Sequence, residues 1–455
     1  MTNGLKPYPA YKDSGVPWLG QVPEQWESNR LGHVSTLMVP MRDKPEDLTG
    51  PIPWIRIEDF NGRSIASSQS GQGVSADTIR AMNLKVFPVG TVLCSCSCSM
   101  GTAAIAARPI VTNQTFIGIV PGVTFSSEYL FYLLQAAKDY LTQIATGAIQ
   151  TYLSRSEFSS LGIVVPPLIE QRAIVRYLDH ADRNVRRGIR ARQQLVKLLT
   201  EQKQATIQRA VTRGLDPNVR LKPSGIPWLG DVPEHWEVSR LKYLCRFAYG
   251  NSLPSEIRQD GGIPVFGSNG RVGLHSVANT RAPCIVVGRK GSFGKVNFSE
   301  TPVFAIDTTY YVDERFTHAN LRWLSYLLAS LGLDGVSKDS AIPGLDRGDV
   351  YDQVVSYPID TREQALIVQY IDAATAYLDK AIDVAHREID LLREYRTRLI
   401  ADVVTGKLDV RDVTVPDDET DVLPEELESI DDVDTVDQTD DVTEGNSESS
   451  AEETA

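Results

Sequence analysis

The stretch SGVPWLGQVPEQWESNRL at residues 14–31 is written again as SGIPWLGDVPEHWEVSRL at residues 224–241, with thirteen of the eighteen positions identical. Tryptophan, proline and glycine are poor candidates for chance repetition, and Trp18, Trp26, Trp228 and Trp236 fall in register. A second pair supports duplication. EQRAIVRYLD (170–179) is answered by EQALIVQYID (363–372), and the same 193-residue offset carries Thr212, Leu215 and Asp216 onto Thr405, Leu408 and Asp409. The short repeat is offset by 210 residues, so the length difference falls between the repeats. The chain divides into a short repeat segment (1–31), a variable region (32–165), a long repeat (166–216), the second short segment (217–241), a second variable region (242–356), the second long repeat (357–411) and a tail (412–455).

The long repeats read as helices. Ile371, Ala374, Leu378, Ala381, Ala385, Leu392, Tyr395 and Leu399 follow the spacing of a heptad seam, interrupted by Glu388. In the first copy the seam is Leu178, Ala181, Val185, Gly188, Leu195 and Leu199, with Arg192 and Gln202 breaking it. Pro166 and Pro167 precede that copy, and Gly214 and Pro217 follow it. About 40 residues make a rod of roughly 60 Å. Such a stripe belongs either to a compact bundle or to a coiled coil. Two copies of equal length offer each other a partner, which favours an antiparallel pair acting as a spacer.

The variable regions read as mixed α and β. IPWIRIEDF, KVFPVGTVLCSCSCS, APCIVVGRKGSFGKVNF and TTYYVD have strand character, while EYLFYLLQAAKDYLTQI and NLRWLSYLLASLGL read as short amphipathic helices. The fold class expected is α+β: two mixed domains and two long helices packed as an antiparallel coiled coil, with an internal pseudo-twofold repeat.

A chain of 455 residues with 42% apolar side chains exceeds a single core. Without a long apolar run or a signal-peptide pattern, a soluble cytoplasmic protein is expected, with no membrane association. Five Cys fit a reducing compartment. The net charge of −13 is unevenly placed. Residues 412–455 hold eighteen Asp and Glu and no Lys or Arg, leaving +5 on the remainder. That tail is expected to be disordered and solvating; the competing reading is a nucleic-acid mimic that blocks a basic groove. The first long repeat carries +6 and its second copy −2, while the variable regions carry 0 and +1.

Catalytic patterns are missing from the sequence. Cys94, Cys96 and Cys98 alternate onto one face of a strand and suit packing better than a metal site. GRKGSFGKV (288–296) departs from the P-loop in spacing and in the residue after Lys295, leaving a tight hairpin or a basic turn that meets a nucleic-acid backbone. The six His show no metal-ligand spacing. Binding is the default role.

This order of segments resembles the DNA-specificity subunit of type I restriction-modification systems over nearly all of residues 8–411. The motifs carrying the resemblance are the WLG and EHWE boxes, both EQ helix starts, TNQTF (112–116), TGAIQTYLS (146–154), FGSNGRVG (266–273), VGRKGSFGKV (287–296) and AIPGLDR (341–347). The acidic tail and CSCSC are unlike the usual pattern. The resemblance implies a noncatalytic reader of double-stranded DNA in which each variable region recognises half of a split, asymmetric site. The long helices would separate the domains and dock methyltransferase subunits, expected to be two. Motor-nuclease subunits would join the assembled complex. S-adenosylmethionine, ATP and Mg are expected on those partners, with no cofactor or metal on this chain. Half-sites one turn apart lie roughly 34 Å from each other, a distance that a rigid helical spacer can set.

Bidentate Arg to guanine and Asn or Gln to adenine are the economical base contacts. Candidate DNA-binding residues are Arg56, Arg63, Gln114 and Gln150 in the first region, and Ser268, Asn269, Arg271, Arg289, Lys290, Ser292 and Lys295 in the second. Gln114 and Ser268 lie in motifs shared across the family, which points to holding the fold or phosphates. The alternative from another class is a coiled-coil scaffold with two protein-binding domains.

Overall fold

The computed structural model describes residues 5–41, 43–97, 99–145, 152–227, 229–335 and 344–416. Gln150, Cys98, Trp228 and the tail from residue 417 lie outside the described residues, and so do the expectations attached to them. The chain falls into two units, residues up to 189 together with those from 390 onward, and residues 190–389.

In the first unit the short repeat forms a hairpin, Tyr11–Asp13 against Gln21–Pro23, with Tyr11 opposite Pro23. Strand Glu27–Arg30 then pairs antiparallel with Gly162–Val165, so the chain between them leaves and returns on adjacent strands. That intervening chain builds a five-stranded mixed sheet in the order Ser35–Met38, Phe116–Pro121, Val92–Ser95, Ala103–Ala106, Ser64–Ile65. Alternation gives the sheet two buried faces. Val92, Cys94 and Cys96 join one core with Tyr129, Leu130 and Leu133 of helix Ser127–Ala136, while Leu93 joins another with Ile55, Phe87 and Phe116.

The second unit repeats the mount around a different insert. Leu221–Pro223 pairs with Asp231–Pro233, with Leu221 opposite Pro233, and Glu237–Arg240 pairs with Val354–Tyr357. The insert holds a four-stranded sheet in the order Ala248–Tyr249, Thr309–Asp313, Cys284–Gly288, Val296–Ser299, and a three-stranded sheet through Ile263–Gly267. Helix Leu321–Ser330 starts at Asn320, whose side chain accepts from the Trp323 N–H at 3.0 Å.

Two readings need correction. IPWIRIEDF is a strand only over Ile52–Ile55, because the Asp59 carboxylate accepts from the Arg56 N–H at 2.7 Å and turns Ile57–Asp59 into a 3₁₀ helix. EYLFYLLQAAKDYLTQI is two helices, Ser127–Ala136 and Lys138–Ile144.

The long helices run Leu168–Arg213 and Thr361–Val404. They pair antiparallel within each unit. In the first unit, Ile174 and Leu178 of the first helix share a core with Leu399, Ile400, Val403 and Val404 of the second. Beside this core, Asp182 accepts from Arg186 at 2.8 Å and also from Arg396. In the second unit, Ile207, Ala210 and Val211 share a core with Ile367 and Ile371. Leu195, placed in the seam by spacing, is 45% exposed. Nearby, polar pairs replace apolar contact: Arg192 with Glu388 at 2.9 Å and Lys203 with Asp379 at 2.5 Å.

Each mount is pinned at its tryptophan. Glu170 accepts from Trp26 Nε1 at 2.7 Å, and Glu363 accepts from Trp236 Nε1 at 2.9 Å. The next residue caps the insert: Gln171 accepts from the Ser126 N–H and Gln364 from the Asn320 N–H, at 2.9 and 2.7 Å. Gly214 and Gly406 end the long helices at φ +72 and +78. A Cβ on Gly406 would lie 2.3 Å from Pro23 Cδ, so the helix end and the first mount touch through a glycine. Beside this joint the Asp409 N–H donates to the Lys6 carbonyl at 2.8 Å.

Candidate nucleic-acid interface

The second insert gathers most of its sequence candidates at one end. Strands Cys284–Gly288 and Val296–Ser299 pair antiparallel, so GRKGSFGKV is a hairpin tip. The Gly288 N–H donates to Lys295 and the Gly294 N–H to Gly288, both at 2.9 Å. A neighbouring hairpin, Ile263–Gly267 with Gly270–His275, brings Asn269 to this tip. There Lys295 Nζ donates to Asn269 Oδ1 at 2.7 Å. Ser268 is buried and its hydroxyl donates to the Thr308 carbonyl at 2.6 Å, which ties the hairpin to the sheet and leaves that donor committed. Lys290 and Ser292 are exposed on the tip, and Arg271 is exposed on its strand.

Arg289 stands in an aromatic setting that the sequence did not reveal. Its guanidinium lies 5.1 Å from the Tyr249 ring centroid and 5.9 Å from that of Tyr310. Arg347 approaches the same Tyr249 ring at 4.9 Å and Tyr351 at 5.8 Å. Tyr249 is 48% exposed. Burial, then the neighbouring Tyr249, push the Tyr310 hydroxyl up to about 12, and that hydroxyl donates to the Leu345 carbonyl at 3.1 Å. Two cations flanking a half-exposed ring can meet phosphate by charge and a base by stacking. The signal for Arg347 was its place in AIPGLDR. Tyr249 had none, because strand Ala248–Tyr249 is two residues long.

The first insert disperses its candidates. Arg56 is paired with Glu58 at 2.5 Å and donates to Ser70 Oγ at 3.3 Å. Arg63 is bonded to Asp179 of the first long helix, and Asp179 also accepts from the Tyr132 hydroxyl at 2.6 Å. A base contact by Arg63 would have to break that bond. Gln114 is exposed in the turn before strand Phe116–Pro121.

Cys94 and Cys96 are buried, and burial pushes both thiols up, which opposes the thiolate a metal would need. Among the described residues no cluster of three His, Cys, Asp or Glu could hold a metal ion, and no helix is long and apolar enough to cross a membrane.

Comparison with known proteins agrees with this arrangement of two inserts on one repeated mount. A family model described as "Type I restriction modification DNA specificity domain" matches residues 23–195 and 233–387, one stretch in each half. The chain is 26% identical over 245 residues to the type I restriction enzyme MjaIX specificity subunit of Methanocaldococcus jannaschii, covering 52% of this chain and 55% of that one. It is 23% identical over 331 residues to the EcoprrI specificity subunit of Escherichia coli, covering 69% and 78%. The chain thus spans about half the length of the first of these relatives. A solved chain from work on complex assembly and conformational transition of the type I R-M system has the same fold, with a TM-score of 0.63 at 18% identity over 85% of this chain and 99% of that one. With a family match in both halves, the chain belongs to the type I restriction-modification DNA specificity family.

Proposed function

We propose that this chain is the noncatalytic DNA-reading subunit of a type I restriction-modification enzyme, in which residues 32–165 and 242–356 each recognise one half of a bipartite, asymmetric site. The observation carrying this reading is the repeated mount. Trp26 with Glu170 and Trp236 with Glu363 hold two inserts of different topology by the same bond. A protein that reads two unlike sequences needs that combination: constant fixtures and unlike reading surfaces. In the second region the reading surface comprises Asn269, Arg271, Lys290, Ser292 and Lys295, with Arg289, Arg347 and Tyr249 beside them; Ser268 supports the hairpin. In the first it comprises Arg56, Gln114 and Gln150, with Arg63 acting through its bond to Asp179.

The long helices, 166–216 and 357–411, fix the interval between half-sites and dock methyltransferase subunits. Supporting this, Leu366, Tyr370, Tyr377 and Val384 are exposed at helical spacing on one face of the second helix, an apolar stripe suited to a partner. S-adenosylmethionine, ATP and Mg belong to the partner subunits, including the motor-nuclease.

The test is to map methylated adenines across the genome of cells carrying this chain with its partner genes, before and after exchanging residues 32–165 for those of a relative. One half-site should change while the other half and the gap persist. Change in both halves, or in neither, would overturn the assignment.

A further inference from the structure

The duplication leaves one face unexplained. Arg172, Arg176, Arg183 and Arg187 of the first long helix fall within about 60° of one another around its axis and span roughly 22 Å of its length. Arg172, Arg176 and Arg183 line one cleft with Glu128 and Asp179, and Asp179 is already held by Arg63 and Tyr132. Among the described residues no carboxylate pairs with Arg172, Arg176 or Arg183. At the matching positions 193 residues later the second helix has Ala365, Gln369, Ala376 and Lys380. Arg172, Arg176 and Arg183 are therefore private to one copy, and the shared fold does not require them.

A complementary segment leaves the structure near the start of this helix, on another face of it. Arg411 lies 4.0 Å from Glu170, two residues before Arg172, and stacks on the Tyr8 ring at 4.7 Å. The described chain continues to residue 416, and residues 417–455 hold seventeen Asp and Glu with no Lys or Arg. Six residues beyond Arg411 can extend roughly 20 Å, and 39 residues on the order of 130 Å. The segment can cover the whole stripe. Tethering gives it an effective concentration on the order of millimolar, which many weak pairs can exploit at low salt and lose at high salt.

We infer that residues 417–455 dock on the Arg172, Arg176, Arg183 and Arg187 face, as an intramolecular polyanion that competes with other polyanions for it. The contact stands on charge and reach alone; its effect on DNA binding rests on the proposed function.

The experiment follows the amide resonances of the tail in the full, isotopically labelled chain. At about 50 mM salt the tail signals should be broadened, and at about 500 mM they should sharpen, because screening separates exposed charges. In R172Q/R176Q/R183Q, which keeps helix-favouring side chains, they should be sharp at both. Tail resonances that do not respond to salt or to the stripe substitution would overturn the inference. A second variant, with Asp and Glu of residues 417–441 changed to Asn and Gln, leaves the helix untouched should the first variant fail to fold; its tail should be sharp at low salt. That variant should also bind a duplex of arbitrary sequence about tenfold more tightly than the wild type at low salt, with the gain absent when the stripe is substituted as well. If the tail is indifferent while the stripe substitution weakens binding of duplex or of the methyltransferase subunit, the occupant is that partner and the tail contact is refuted. The resonance measurement contains no DNA, so it stays readable if the specificity assignment fails.

Discussion

Arg192 Nε donates to Glu388 Oε2 at 2.9 Å, so one of the two residues that break the apolar seam of the first long helix meets the residue that breaks the seam of the second. Both side chains are more than a third exposed, so solvent screens the pair and its net worth is about 0.2–1 kcal/mol. R192E should destabilise the chain by about that amount, and R192E/E388R should restore it. Denaturant unfolding of the wild type, both single variants and the double variant measures the coupling, and a coupling near zero would show that the pair is incidental.

The two tryptophan clamps differ in burial, and their variants should differ in the same order. The Glu170 side chain is 10% exposed and that of Glu363 30%. E170A strands the buried Trp26 N–H and the Tyr8 hydroxyl, and should cost about 1–3 kcal/mol. E363A should cost less, because water can reach the vacated site. Comparing the unfolding midpoints checks the order; an equal or reversed loss would contradict it.

Acid should loosen the first unit through Asp182. Burial opposes its charge, but Arg396 and Arg186 outweigh burial and hold its carboxyl below the usual value of 3.8. A group depressed in the folded state adds stability above its unfolded value and loses that stability as pH falls through the folded value. The contribution should therefore be complete above about pH 5 and decline below about pH 4. D182N should flatten that part of the stability profile; an unchanged acid limb would show that Asp182 contributes nothing to it.

On the second insert, R289A and R347A should each weaken DNA binding by the assembled methyltransferase and lower the slope of log affinity against log salt by about 1. Y249A should weaken binding with little change in slope, since it removes stacking and no charge. Equal slopes in all four proteins would place these residues off the duplex.

Legibility followed the range of the determining contacts. The repeats, the long helices and the hairpin in GRKGSFGKV were readable because each depends on local pattern or periodicity. The stripe reading failed at Leu195, where the competition between apolar packing and the Arg192–Glu388 pair is settled between helices. Ser268 and Arg63 carry suitable chemistry for DNA, yet what they touch, Thr308 and Asp179, lies 40 and 116 residues away. Tyr249 gave no signal because its strand is two residues long, and its partners Arg289 and Arg347 approach from distant turns.

The hydrogen bond from Asp409 to Lys6 has a topological meaning. By the two repeat offsets, Asp216 is the counterpart of both residues at once, so what one half joins by a peptide backbone the other joins by weak forces. Closing so long a loop without a covalent link is tolerable, since each doubling of loop length adds only about 0.6 kcal/mol of entropy. Within the first unit the joint is thus a non-covalent seam at the place where the other half has continuous chain.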